Sequence, residues 1–581
     1  MGGWSGKTRN RLIFLYWLFT LFYVALVVRL ANLQWLNNQK FSRLARLQQE
    51  GDIEIPALRG DIRDRGGVVL SSSLALSSVA VNPREVKDLN GSALRVSRLL
   101  NRPLKEVEAA MKGIGTFQWL ARKVPDSVAQ SLKKDPVPGV FLLREPTPGR
   151  RFYPKGRLAA HLLGATGIDE QGLDGLEAAY DEYLGGTPGT LRTFMDRDGW
   201  TIPVATQHLI KRAVPGRHLV LTLDETIQYV AERELAAAVK LRNARGGICL
   251  VMDVKTGGIL ALAVMPDFAA EDFAKVPAGL RRNRAITDPY EPGSTFKVFL
   301  AASAVDSGVQ PNEHFLSGGV LSIGGWTIHN ANDGLDAAGS ETLSDIIAYS
   351  FNVGTASVAM RIGKKAYAKH LEDFGFGQRT GVDLTGESEG ILAPVKDWAD
   401  INLATISFGQ GVAVTPMQLV SGLQAIGNGG VRLKPHVVQK VLNPDESVFK
   451  EVQVQELSRP ISADSARQVL SILKGVCEKG TGKGANVPGY RVGGKTGTAQ
   501  VSVNGVYSAD KYIGSFVGLA PIEEPRVAIL VKIEEPTPVY WGGTVAAPVF
   551  SRVAQEAMWK LGVSPSHPEE ISSAVQGGQK H

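Results

Sequence analysis

From Leu12 to Val28 the chain reads LIFLYWLFTLFYVALVV, with no charged residue. With its flanks this apolar run covers residues 12–33, enough for a tilted transmembrane helix. Lys7, Arg9 and Arg11 precede it, which predicts a cytoplasmic tail at 1–11 with the rest of the chain outside. No small-x-small cleavage site closes the run; Arg29-Leu30-Ala31-Asn32 follows, so the expectation is an uncleaved anchor. No later segment is apolar enough to span, which predicts a single pass.

After the anchor, helical spacing continues from Arg29 to Glu50. Short strands and turns are expected from Asp52 to Val81, then helices near Ser92–Leu100 and Leu104–Met111. Pro146 to Asp198 is rich in Gly and Pro, with a helical patch at Leu173–Leu184. Residues 34–215 therefore read as an elongated accessory module without a catalytic constellation of their own. A second domain, 216–562, opens at His218 with a strand-like run and a helix over Leu223–Leu241. Gly247–Val254 and Gly258–Val264 read as a hairpin about Lys255-Thr256-Gly257. Helical periodicity dominates from Ser294 to about Asn428. Strands are expected at Arg491–Val492, Thr498–Val503, Tyr512–Ala520 and Val527–Ile533, and a closing helix from Pro548 to Leu561. Helices inserted between an early hairpin and late strands imply an α+β fold, an antiparallel sheet with a helical lobe. The polar tail, 563–581, is expected to be disordered.

Composition narrows the chemistry. The 581 residues exceed one ordinary domain. The net charge of +7 is spread along the chain without a long basic run, so no nucleic-acid partner is expected. Cys249 and Cys477 form no CxxC pair, and Cys249 sits in an apolar, strand-like run, so neither a disulfide nor a catalytic thiol is expected. The nine histidines show no HExxH or paired spacing, and no metal site is expected.

Three short motifs carry the chemistry: Ser294-Thr295-Phe296-Lys297, Ser350-Phe351-Asn352 and Lys495-Thr496-Gly497-Thr498. Each recurs by chance. Ser-x-x-Lys also starts at Ser131, Ser447, Ser471 and Ser508, Lys-Thr-Gly at Lys255, and Ser-x-Asn at Ser502. Only one set stands in the order Ser-x-x-Lys, Ser-x-Asn, Lys-Thr-Gly within a domain-sized stretch, the signature of penicillin-binding serine acyltransferases. Context agrees. Pro292-Gly293 breaks the chain before Ser294 and an apolar helical run follows, which sets Ser294 near a helix N-terminus with Lys297 one turn on. A serine hydroxyl needs a base to become a nucleophile. A lysine can be that base when burial or nearby positive charge, here from Lys495, lowers its pKa.

A second class has to be weighed. Gly489 to Thr496 formally matches the phosphate-loop pattern GxxxxGK[ST], and Ile248–Asp253 resembles an apolar strand ending in a magnesium-binding Asp. A phosphate loop needs a helix after it. Here Thr498-Ala-Gln-Val-Ser-Val alternates like a strand, and the Asp-ending strand comes long before the loop, so a nucleotide hydrolase is not expected.

The chain resembles a class B penicillin-binding protein, a peptidoglycan transpeptidase, over nearly its whole length. Tyr290-Glu-Pro-Gly-Ser-Thr-Phe-Lys297, Ser407-Phe-Gly-Gln-Gly411 and Lys495-Thr-Gly-Thr-Ala-Gln500 are the specific matches in the catalytic domain. Arg59-Gly-Asp-Ile-Arg-Asp-Arg-Gly-Gly67 resembles the family's RGxIxDRNG, with Gly66 where Asn is usual. Arg151-Phe-Tyr-Pro154, Ala160-His-Leu-Leu-Gly164 and Gly172-Leu-Asp-Gly-Leu-Glu177 resemble its other pedestal motifs, and all of these are expected to fold the pedestal rather than to act.

The resemblance implies that Ser294 attacks the D-Ala-D-Ala carbonyl of a stem peptide and that Lys297 takes its proton. It implies that Ser350, helped by Lys495, relays a proton to the leaving amine. Asn352 holds the substrate amide and Lys297. Thr496, Gly497 and Thr498 bind substrate, with the N–H groups of Ser294 and Thr498 as the oxyanion hole. No cofactor is implied. β-Lactams are implied as covalent inhibitors, and an FtsW-type membrane glycosyltransferase with other division proteins as partners. The short cytoplasmic tail and single anchor resemble the division-specific FtsI type; an elongation-type relative, a β-lactamase and a β-lactam sensor are the alternatives. The class A deacylation motif Glu-x-x-Leu-Asn is absent, since Glu387-Ser-Glu389 does not match it.

Overall fold

The computed structural model describes residues 6–55, 57–74, 77–113, 115, 117–144, 150–194, 208–331, 339–503 and 506–570. They pack as two compact units, Met1–Ala57 with Thr187–Val214, and Leu58–Gly186 with Pro215–His581.

In the first unit a helix over Gly6–Ala31 continues through a π-helical turn at Asn32–Leu36 into a helix over Asn38–Gln49. No residue of Gly6–Ala31 is buried, although its stretch from Leu12 to Val28 is apolar all round. Such a helix requires apolar surroundings. Gly6–Leu36 is the one helix among the described residues long and apolar enough to cross a membrane. At about 1.5 Å per residue it rises roughly 46 Å, more than the ~30 Å hydrocarbon thickness. The unit closes with an antiparallel sheet of Glu50–Ile55, Gly189–Phe194 and His208–Lys211.

In the second unit, backbone pairing crosses from the pedestal sequence to the catalytic sequence. His218–Leu221 pairs in parallel with Ile62–Arg63 and antiparallel with Val438–Leu442, so one six-stranded sheet joins pedestal and catalytic sequence. The pedestal motifs meet beside it. Glu177, fully buried, accepts from Arg59 Nε and Arg151 Nε, each at 2.7 Å, and from Ser71 Oγ at 2.9 Å. Arg151 Nη1 also donates to the Gly60 carbonyl at 2.8 Å. A Cβ on Gly60 would lie 1.8 Å from the Arg217 carbonyl oxygen, so only glycine fits. Asp64 Oδ1 accepts from Gly66 N and Val68 N, each at 2.8 Å, and closes the turn in which Gly67 adopts φ +88°. His161 bonds the Leu280 carbonyl at 2.9 Å and packs edge-on against Phe268, a structural role.

The catalytic part is built on five antiparallel strands. They are β1 (Gly246–Asp253), β2 (Ile259–Met265), β3 (Gly493–Val503), β4 (Val506–Ala520) and β5 (Val527–Glu534) in the order β2-β1-β5-β4-β3. Every residue of β1, β2 and β5 is buried, because helices cover both faces. On one face lie α1 (Glu225–Leu241) and α6 (Ala547–Lys560), the latter seated on β4 through Phe550 against Phe516 at 4.7 Å. On the other lies the helical lobe: α2 (Lys297–Asp306), α3 (Asn352–Ile362), α4 (Pro416–Gly427) and α5 (Ala463–Glu478). A cluster of Phe296, Phe299, Phe374 and Phe376, ring centroids 4.7–5.5 Å apart, fixes the start of α2 in that lobe.

Three expectations are corrected. Lys495-Thr496-Gly497 lies inside the continuous strand β3, not in a gap between two strands, and Arg491–Val492 is not a strand. Glycines 493, 494 and 497 lower the strand signal, yet a Cβ on Gly494 would lie 2.4 Å from the Val517 carbonyl oxygen. The region from Ser294 to Asn428 also carries short strands at His314–Leu316, Val320–Ile323, Trp326–His329 and Ser340–Thr342. The tail is held through Glu570: Arg491 pairs with it at 2.7 and 2.9 Å, Tyr490 Oη donates to the Val563 carbonyl at 2.7 Å and His567 N to the Gly489 carbonyl at 3.0 Å. Residues 571–581 lie outside the described residues.

Removing the Glu177 carboxylate strands two buried guanidinium groups. Glu177→Ala is expected to destabilise the second unit by about 3–5 kcal/mol, the cost typical of breaking a buried ion pair. Denaturant unfolding of the variant against the parent checks this.

Candidate active site

The sequence sets Ser294 in place through a chain break. Pro292 and Gly293, the latter at φ +55°, turn the backbone into a single 3-10 turn, Gly293–Phe296, which runs on into α2. Ser294 is thus in the first turn of a helix and Lys297 at its next step, as the spacing predicts. A neighbouring loop holds this turn. Gly293 N donates to the Gly409 carbonyl at 3.1 Å, and Gly409, at φ +81°, leaves no room for a side chain: its Cβ would lie 2.2 Å from the Gly293 carbonyl oxygen. This contact explains Gly409 of Ser407-Phe-Gly-Gln-Gly411, whereas Gly411 is set by its φ of +73°.

Lys297 has no solvent exposure. Its Nζ donates to the Ser350 carbonyl at 2.7 Å, Ser350 Oγ at 3.2 Å and Asn352 Oδ1 at 2.7 Å. Ser350 sits between the helix Leu343–Tyr349 and α3 at φ +68°, ψ +35°. A non-glycine residue there costs on the order of 1–3 kcal/mol, the kind of strain that persists where the surroundings over-determine it. The kink turns the Ser350 hydroxyl and carbonyl and the Asn352 amide onto one amine. Asn352 is held from behind, its Nδ2 donating to the His329 carbonyl at 3.1 Å.

Lys495 also has no exposure; its Nζ donates to the Thr496 carbonyl at 3.2 Å and to Thr496 Oγ1 at 3.4 Å. Along β3, Thr496 and Thr498 face an open cleft of 630 Å³ that Ser294 and Ser350 also line. Thr498 Oγ1 accepts from Gly542 N at 3.2 Å. Gly497 points away from the cleft, where a Cβ would meet Ser515 Oγ at 2.5 Å and Thr295 Cγ2 at 2.8 Å. All eight sequence-predicted residues therefore gather here: Ser294, Ser350, Thr496 and Thr498 on the cleft wall, Lys297, Asn352, Lys495 and Gly497 behind it.

Sequence reasoning missed Thr481, Lys483 and Trp541, which also line the cleft. Thr481 Oγ1 lies 2.7 Å from Thr496 Oγ1 and braces the Lys-Thr-Gly strand. Gly480-Thr-Gly-Lys-Gly484 carries a visible turn signal, but nothing in it points to β3. The rival motifs lead elsewhere. Lys255 belongs to the β1–β2 turn, where Asp253 Oδ1 accepts from Lys255 N and Thr256 N at 2.9 and 3.1 Å. The phosphate-loop match runs into β3 and no helix follows it. Glu387 is engaged by the Thr380 and Gly381 backbone N–H groups at 2.7 and 3.0 Å. Burial pushes Cys249 and Cys477 up to about 12, so neither is a thiolate at neutral pH.

Residues 247–555 match the description "Penicillin binding protein transpeptidase domain" and residues 54–221 the description "Penicillin-binding Protein dimerisation domain". The chain is 34% identical over 561 residues to "Peptidoglycan D,D-transpeptidase FtsI" of Escherichia coli K12, covering 93% of this chain and 91% of that one. It is 33% identical over 566 residues to "Stage V sporulation protein D" of Bacillus subtilis, covering 96% and 86%. Among solved structures it is similar to penicillin-binding protein 3 of Mycobacterium tuberculosis in complex with aztreonam, at TM-score 0.69 and 29% identity over 88% of this chain and 98% of that one. Penicillin-binding protein 2X of Streptococcus thermophilus matches at TM-score 0.74 and 25% identity, covering 90% and 82%. The chain belongs to the class B penicillin-binding proteins, the peptidoglycan D,D-transpeptidases.

Gly409→Ala tests the contact behind the Ser294 turn. Misplacing a reacting group by an ångström typically costs about 100-fold. Penicillin acylation of the variant, followed by stopped-flow or gel fluorescence, is expected to slow by at least about tenfold on the same ground.

Proposed function

We propose that Ser294 is the nucleophile of a D-Ala-D-Ala transpeptidation in septal wall synthesis. The observation that carries the chemistry is Lys297, buried one turn after Ser294 and bonded at once to Ser350 and Asn352. Ser294 Oγ attacks the penultimate D-Ala carbonyl as Lys297 takes its proton. The C–N bond breaks, and the terminal D-Ala amine leaves with a proton passed through Ser350, with Lys495 lending positive charge. The backbone N–H groups of Ser294 and Thr498 hold the developing oxyanion, a contribution typically worth about 100–1000-fold. Thr496 and Thr498 hold the substrate carboxylate and Asn352 its amide. An amine of a neighbouring stem peptide then attacks the ester, forms the crosslink and returns the serine its proton. β-Lactams enter the same path because the strained ring offers an equivalent carbonyl.

The septal role rests on likeness to the FtsI type. In that reading the N-terminal tail is cytoplasmic and the catalytic domain external. The exposed aromatic face of the anchor, with Tyr16, Trp17, Phe19 and Tyr23 each more than 60% exposed, packs against an FtsW-type glycosyltransferase. An elongation role is the alternative.

Mass spectrometry after penicillin should find one persistent adduct, on the peptide bearing Ser294. An adduct at Ser131, Ser447, Ser471 or Ser508 would sink the assignment, and rapid turnover of the drug would favour a lactamase. Lys297→Arg should abolish acylation, because a guanidinium does not lose its proton in a protein. Exchange of residues 12–28 for an unrelated span should leave penicillin binding intact and abolish septal growth in cells. Full rescue by that chimera would reduce the anchor to a tether.

A further inference from the structure

Glu291 stands three residues before Ser294 and has no part in the chemistry above. It is half-buried, and its Oε1 accepts two hydrogen bonds, from Gly411 N at 2.8 Å and from Tyr507 Oη at 3.2 Å. The donors come from different parts of the chain. Gly411 ends the loop whose Gly409 carbonyl holds Gly293 N. Tyr507 lies at the start of β4 and pairs with Ser502 of β3, the strand that carries Thr496 and Thr498. One carboxylate oxygen therefore ties the nucleophile turn both to the loop behind it and to the far end of the substrate strand.

The base of this clasp is fixed. Tyr290 N and O bond Val414 O and N at 3.0 and 2.9 Å, and the Tyr290 ring lies 4.2 Å from Lys532 Nζ. Glu291 thus leaves a rigid backbone, and its reach sets where Gly411 and Tyr507 can sit. Burial and the Glu291 charge push the Tyr507 phenol up to about 12, so it remains a donor across the physiological range.

We propose that Glu291 is a positioning residue for acylation: its carboxylate holds loop 409–411 and the β3–β4 hairpin in register with the Ser294 turn. The proposal rests on Ser294 as the nucleophile. Tyr507 is 44% exposed, and bonds at such an open site contribute little to global unfolding. The expected signature is kinetic.

Saturation kinetics of penicillin acylation on the full chain separate the initial dissociation constant from the acylation rate constant. Glu291→Ala should lower the rate constant by about tenfold or more while the dissociation constant stays within about threefold, the mark of a contact that acts in the transition state. Its melting temperature should stay within about 2 °C of the parent, as expected away from buried packing. Glu291→Gln keeps an oxygen that can accept both bonds and should recover to within about threefold of the parent. Tyr507→Phe should slow acylation in the parent and add nothing in the Glu291→Ala background, the non-additivity of a shared contact. A parental rate constant in Glu291→Ala, or a Glu291→Gln as slow as the alanine variant, overturns the proposal. A parent chain that is not acylated at Ser294 overturns the underlying reading instead.

Discussion

The catalytic half of this protein is organised around the burial of one amine. Lys297 has none of its surface in water, and a buried amine left without hydrogen-bond partners costs stability. Three acceptors within 3.2 Å meet it, and all come from a helix break fifty residues away. That break needs a left-handed serine, so Ser350 carries backbone strain to supply both a carbonyl and a hydroxyl to the same point. The next layer follows. Asn352 must keep its oxygen toward Lys297, and the His329 carbonyl ensures this by engaging its amide nitrogen. The hairpin that supplies His329 packs Ile328 into a small core with Val353, Ala356 and Phe408. Lys297 thus links α2, α3 and that hairpin, and it sits one turn from the serine whose proton it takes in the proposed reaction.

A second constraint is the closeness of backbones around the cleft. Gly293 meets Gly409, Gly497 meets Thr295 and Ser515, and a Cβ on Gly542 would lie 2.3 Å from the Gly497 carbonyl oxygen. Side chains at these positions would wedge apart the turn, the loop and the strand that must converge. The glycines weaken each segment's local preference, and the buried sheet and helical lobe offset the loss. This is why the Lys-Thr-Gly strand is central to the site yet faint as a strand in the sequence.

What was legible follows from that division between local and long-range causes. The N-terminal apolar helix, the β1–β2 hairpin, α1 and α6 are written in local periodicity, and the structure has each of them as a helix or hairpin within a few residues of expectation. The Ser294–Lys297 spacing is also local, since one helical turn fixes it. The gathering of Ser350, Asn352 and Thr496 around it is long-range and was visible only as an order of motifs. Thr481 stayed hidden because its hydroxyl contact with Thr496 arises when α5 and β3 pack, and no spacing encodes that. The short strands between His314 and Thr342 were masked by the strong helices around them. At the start of the tail, over 563–570, polarity alone suggests solvent, whereas Glu570 finds Arg491 and Tyr490 finds the Val563 carbonyl.

The pedestal motifs follow the opposite logic to the catalytic ones. Arg59, Arg151 and Glu177 are charged and specific in sequence, features that in a loop would suggest a site. In the fold Glu177 pairs with both guanidinium groups away from water and Asp181 takes a further bond from Arg59, with Gly60 admitting the Arg217 backbone at a distance no other residue tolerates. A buried network of this kind is worth little as net stabilisation against a well-packed apolar core. Its consequence is geometric, because the guanidinium forks hold together the segment before the strand at Ile62–Arg63, the helix Gly175–Ala179 and the Arg150–Phe152 strand. Since Ile62–Arg63 pairs directly with His218–Leu221, whose chain continues into α1 beneath the catalytic sheet, that arrangement is carried by backbone hydrogen bonds into the scaffold of the cleft.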